Sequence, residues 1–159
     1  MFEDITLYEK AVSKLIRNGM HISFAESCTG GLCCGALVSV ADASKVLDMS
    51  FVTYANEAKT RLLGVRESTI HDFGVVSEEV AGEMALGAAQ TAGSEVGVGV
   101  TGVAGPTGGT AKKPVGMVCF GICIHDGVKT YTQYFGEIGR NEVRQQSVDF
   151  VFRKLDELL

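Results

Sequence analysis

The chain has 159 residues, 46% hydrophobic and 21% charged, and carries a net charge of −5. Those values exclude a disordered chain and suggest a single domain. They also argue against a nucleic-acid interface, since no run of Lys or Arg exceeds Lys112-Lys113.

No apolar stretch approaches the ~20 residues of a membrane-spanning helix. Met1-Phe2-Glu3-Asp4 lacks a signal-peptide profile. The five cysteines have no zinc-ligand spacing, and His21, His71 and His125 each stand alone, so no metal is expected. Free thiols fit a reducing, cytoplasmic setting.

In chain order, Ile5, Tyr8, Val12, Leu15 and Ile16 recur at helical spacing, and Asn18-Gly19 closes that helix. A buried strand from His21 to Ala25 leads into Glu26-Ser27-Cys28-Thr29-Gly30-Gly31, and a helix follows from Leu32 to Val40. Ser50 to Tyr54 reads as a strand and Ala55 to Leu63 as a helix ended by Gly64. Ser77 is a predicted N-cap, with Glu78 and Glu79 in the first turn of a helix reaching about Thr91. Its small face is Ala81, Met84, Ala85 and Ala88. A strand from Glu95 to Val100 precedes a Gly-rich loop from Thr101 to about Pro114. Val115–Ile124 and Val128–Phe135 form a hairpin through His125-Asp126-Gly127. On these strands Cys119, Gly121 and Cys123 share one face. A last helix turns Val148, Val151, Phe152, Leu155 and Leu159 inward. Interleaved strands and helices predict an α/β fold, a single three-layer α/β/α domain with a mixed central sheet.

Three segments carry chemistry. Where the first strand turns into a helix, unpaired N–H groups and the helix dipole suit an anion, or the oxyanion of a reaction begun by Ser27 or Cys28. Tyr54 ends a strand and Lys59 lies about one turn into the next helix; parallel strands would bring both to the edge that holds Ser27. The loop Thr101-Gly102-Val103-Ala104-Gly105-Pro106-Thr107-Gly108-Gly109-Thr110 leaves another strand end. Its small residues allow successive N–H groups to converge on an anion.

AESCTGG, FVTYANEAK with its continuation TRLLGV, GVVSEEVA and TGVAGPTGG followed by KPVG run in order through most of the chain. The sequence thereby resembles the CinA C-terminal domain family, which includes nicotinamide mononucleotide (NMN) amidohydrolases. Many members carry an additional N-terminal molybdopterin-binding-like domain, and at this length the chain resembles the stand-alone form. The resemblance implies hydrolysis of the NMN carboxamide to nicotinate mononucleotide and ammonia, without a cofactor. Ser27 would be the nucleophile, supported by Tyr54 and Lys59. Cys28, Thr29, Gly30 and Gly31 would surround the reacting group, with Asn56 nearby. The loop residues Thr101, Gly102, Gly105 and Gly108 are expected to meet the phosphate, together with Arg140 or Arg144; the loop and the Ser27 turn are interchangeable in these roles on sequence alone, because both present N–H groups. Two departures stand out. Ile138-Gly139 precedes Arg140 where the family has Gly-Asp, and Ala41-Asp42 replaces a usual Pro-Gly.

An amide is a poor electrophile, so a serine needs a base, and no histidine lies in the three motifs. Lysine is the available base. Its ordinary pKa leaves roughly 0.04% neutral at pH 7, so Lys59 is expected to be buried, close to Ser27, with its pKa depressed. Tyr54 would relay or donate a proton. Cys28, at a helix N-terminus, is the rival nucleophile. The other reading is a nucleotide-binding regulatory module without turnover, linked to competence and DNA-damage responses. A homodimer is compatible with the apolar content.

Overall fold

The computed structural model describes residue 2 and residues 4–159. Its first helix, α1 (Thr6–Asn18), ends at Gly19, whose left-handed backbone (φ 64°) places its N–H on the carbonyls of Leu15 and Ile16. The chain then enters β1 (Ile22–Glu26), a fully buried strand. Two parallel neighbours flank it: β2 (Phe51–Val52) on one side and β3 (Val96–Gly102) on the other. Antiparallel pairing then adds β4 (Met117–Ile124) and β5 (Gly127–Tyr134), giving the order β2-β1-β3-β4-β5.

Helices cover both faces, which is the expected three-layer α/β/α arrangement with a mixed sheet. One face carries α1, α2 (Leu32–Val38) and α6 (Arg140–Leu158), packed through Leu15, Leu37, Phe152 and Leu155 onto Phe24, Val98 and Phe120. The other carries α5 (Glu78–Ala92), with α3 (Asn56–Leu63) and α4 (Glu67–Phe73) beside it. Ser77 caps α5 by accepting the Val80 N–H. None of the described helices is long and apolar enough to cross a membrane.

Several boundaries differ from the sequence expectation. The strand expected over Ser50–Tyr54 shrinks to two residues, because beyond Val52 the carbonyls of Thr53 and Tyr54 turn from the ladder to the Lys59 ammonium. The helix expected to reach Val40 stops at Val38, where the Ser39 hydroxyl takes the Ala36 carbonyl. Between β4 and β5 the turn is only His125-Asp126, both at positive φ (47° and 67°), with Gly127 already paired to Ile124. Asp42 adopts the left-handed conformation (φ 68°) and pairs with Lys45 at 3.0 Å.

Candidate active site

Ser27 follows β1 directly, and its N–H donates to the Val100 carbonyl of β3 at 3.0 Å. The C-terminal ends of β1, β2 and β3 therefore deliver the three chemistry-bearing segments to one edge of the sheet, the edge where ligands bind in parallel α/β folds.

Lys59 sits in the first turn of α3 and is fully buried. Its Nζ lies 2.6 Å from the Thr53 carbonyl, 3.3 Å from the Tyr54 carbonyl and 3.3 Å from Ser27 Oγ. Among the described residues no carboxylate is within ion-pair distance of it. Burial consequently holds its pKa below the ordinary lysine value. With the proton removed, two N–H bonds satisfy the two carbonyls and the lone pair faces the Ser27 hydroxyl.

The N-terminus of α2 is already filled. The buried Glu26 carboxylate accepts the N–H groups of Gly31 (3.0 Å), Cys33 (3.0 Å) and Cys34 (2.9 Å). An external anion therefore finds the dipole end occupied, which corrects the expectation that this helix start presents free donors. Within the turn, Gly30 N–H returns to the Ser27 carbonyl at 3.1 Å. The N–H groups of Cys28 and Thr29 have no oxygen acceptor among the described residues and face the Cys28 sulfur instead. Glu26 is the residue the motif reading missed. A lone acid inside a buried apolar run was the available signal, since such a charge requires dedicated partners.

Cys28 is a poor nucleophile here. Burial pushes its thiol up to about 12, so it stays protonated at neutral pH.

The remaining candidates divide. The Tyr54 ring is exposed; its hydroxyl accepts from Arg140 Nη2 at 3.0 Å, and only its backbone carbonyl touches Lys59. The proton relay expected of that hydroxyl therefore has no contact with Lys59. Arg140 also donates to the Gly105 carbonyl at 2.8 Å, tying the second segment to the third. It lines a cavity of about 260 Å³ with Ala104, Pro106, Val115, Glu137 and Gly139. Gly108 lies on the exposed tip of this loop at φ 88°. Thr101 and Gly102 belong to β3 rather than to the loop. The Thr101 hydroxyl donates to the Val75 carbonyl, and Gly102 is packed against Val118. Asn56 is exposed and lines a separate hollow with Glu57, Thr60, Glu67 and Ile70. A larger cavity of about 560 Å³ lies between α1 and α6, lined by residues that include Tyr8, Gln145 and Arg153, and it contains no motif residue.

A family model of the CinA C-terminal domain matches residues 4–159. The chain belongs to this family. A CinA-like protein of Kosmotoga olearia is 45% identical over 154 residues, covering 94% of this chain and 37% of that protein. A putative competence-damage inducible protein of Clostridium perfringens is 42% identical over 159 residues, covering 98% of this chain and 38% of its own length. The CinA C-terminal domain thus spans little more than a third of these curated relatives. Among solved structures, competence/damage inducible protein CihA from Agrobacterium tumefaciens superposes with a TM-score of 0.92 at 41% identity, covering 98% of this chain and 96% of its own. A CinA superfamily protein from Escherichia coli gives 0.91 at 32% identity, covering 100% and 94%. In this CinA C-terminal domain the Ile138-Gly139 pair forms the entry to α6, with Gly139 at φ 104° immediately before Arg140.

Proposed function

We propose that this domain is an NMN amidohydrolase working in a reducing cytoplasm, with Ser27 as nucleophile and Lys59 as base. The observation that carries the reading is a fully buried lysine without a carboxylate partner, 3.3 Å from a serine hydroxyl at a strand-to-helix turn. A purely structural lysine is normally paired or solvated.

Neutral Lys59 takes the Ser27 proton as Oγ bonds to the carboxamide carbon, and the carbonyl electrons move onto oxygen. The N–H groups of Cys28 and Thr29, which no oxygen accepts among the described residues and which lie against the Cys28 sulfur, are the donors proposed for that oxyanion. Collapse breaks the C–N bond, the proton on Lys59 passes to the departing nitrogen, and ammonia leaves. Water then adds to the acyl-serine, again losing its proton to Lys59, which returns it to Oγ as nicotinate mononucleotide is released. The exposed Tyr54 ring offers a face for the pyridinium, and Arg140 offers a cation for the phosphate.

Incubation with NMN should release ammonia and nicotinate mononucleotide in equal amounts. Ser27→Ala should abolish turnover, while Cys28→Ala should retain it. NMN binding by the unaltered chain without ammonia release would instead mark a nucleotide-binding module.

A further inference from the structure

Arg144 is half-buried, and all three of its nitrogens are engaged. Nε donates to the Cys28 carbonyl (3.0 Å), Nη2 to the Thr29 carbonyl (3.1 Å) and Nη1 to Asn141 Oδ1 (3.1 Å). The first two bonds grip consecutive peptide units of the turn that carries Ser27. In a trans peptide the N–H points opposite to the C=O. Holding the Cys28 carbonyl therefore turns the Thr29 N–H away from the guanidinium. Holding the Thr29 carbonyl does the same for the Gly30 N–H, which meets the Ser27 carbonyl at 3.1 Å. Glu26 fixes the same turn from the opposite end, through the Gly31, Cys33 and Cys34 N–H groups. Arg140, in contrast, is exposed at the loop cavity.

We infer that Arg144 is a positioning residue that sets the peptide planes of the Ser27 turn, so that the Thr29 N–H is presented as an oxyanion donor, and that it does not bind the substrate phosphate. The inference rests on the amidohydrolase reading of this site. Arg is suited to the task because its planar fork spans two carbonyls, which a lysine ammonium does not reproduce.

The test compares wild type, Arg144→Gln and Arg144→Lys on NMN and on its dephosphorylated nucleoside, alongside labelling of Ser27 by a fluorophosphonate followed by mass spectrometry. That reagent bonds phosphorus to Oγ, expels fluoride, and sets its phosphoryl oxygen where the oxyanion would form. Both variants should lose kcat on the two substrates by the same factor, up to about 10²–10³-fold for one misplaced donor. They should leave the NMN-to-nucleoside preference and the affinity for nicotinate mononucleotide intact, and label Ser27 more slowly. Collapse of the phosphate preference, or wild-type labelling rates, would overturn the inference. If Arg144→Gln fails to fold by circular dichroism, Arg144→Lys alone decides between the same outcomes. A wild type that leaves NMN untouched, yet labels Ser27 in an Arg144-dependent way, defeats the substrate reading and spares the positioning role. No labelling of wild-type Ser27 defeats both.

Discussion

Lys59 pays a desolvation cost that its surroundings repay only in part, since two backbone carbonyls and a hydroxyl stand in for a counter-ion. The proposed role as base requires the neutral form, so activity should rise with pH along a limb whose midpoint lies below the ordinary lysine value of 10.5. Lys59→Arg keeps a donor in the site but stays charged at every working pH. Turnover should drop by about 10²–10⁴-fold and that limb should vanish from the pH–rate profile; an active Arg variant with an unchanged profile would remove Lys59 from the mechanism. Glu26 makes a second residue-level case. Glu26→Gln preserves shape but replaces one acceptor oxygen with an amide nitrogen that itself donates. At least one N–H of Gly31, Cys33 or Cys34 then loses its partner, at a cost of about 1–3 kcal/mol. A urea midpoint equal to wild type would show that the cap contributes nothing. Sequence reasoning reached Ser27 and Lys59 because one follows a strand directly, the other lies a turn into the helix after the next strand, and both stand in motifs that resemble the CinA family. It missed Glu26 because the residue looks like one more member of the motif until its three N–H partners are located.

Among the elements, α5 is set by glycine. A Cβ at Gly99 or Gly121 would fall well inside contact distance of the Ala81 carbonyl oxygen, and one at Gly97 would meet that of Ala85. The helix backbone thus rests directly on β3 and β4, and backbone cannot step aside as a side chain does. Gly99→Ala should destabilise by about 1–3 kcal/mol or more, read as a lower denaturation midpoint with an unchanged m-value. The loop after β3 has its own fastening. Lys113 Nζ donates to the Phe73 carbonyl at 2.9 Å and to the Val76 carbonyl, strapping the loop to the α4–α5 connection. Lys113→Met should raise KM for NMN several-fold while kcat changes little, because the strap lies away from Ser27. An unaltered KM would mean that the loop holds its shape without it. Helical periodicity made α1, α5 and α6 readable, and a strong cap fixed the start of α5. By contrast α4 was invisible. Its N-terminal end is anchored from another element, with Glu83 of α5 accepting the N–H of the N-cap residue Arg66 (2.8 Å) and the Thr69 hydroxyl (2.7 Å). A cap supplied from a distant helix leaves no local signature.

At the scale of the whole molecule, the three parallel strand ends gather the reactive groups, while the antiparallel pair β4–β5 extends the sheet and closes its core. Free thiols are threaded through that core: Cys28, Cys33, Cys119 and Cys123 are buried and Cys34 is partly so. Burial raises each of them, Cys28 to about 12 and Cys33 well above its ordinary value, and it also carries the Tyr8 phenol to about 12. Above about pH 9 the unfolded chain therefore gives up protons that the folded chain still holds. With more protons bound to the native state, stability must fall as pH rises. Lys59 acts in the opposite sense: its lowered pKa means that the unfolded chain binds the extra proton, and stability gains with pH up to the ordinary lysine value. Five thiols and a phenol outnumber one lysine, so the net slope is negative. Thermal melts in reductant should show Tm falling steadily from pH 9 upward. The double substitution Cys28→Ala and Cys33→Ala lowers Tm at pH 7 through lost packing, but its Tm should fall less steeply over the alkaline range than that of wild type. Parallel Tm–pH lines for the two proteins would show that the buried thiols do not set the alkaline limit.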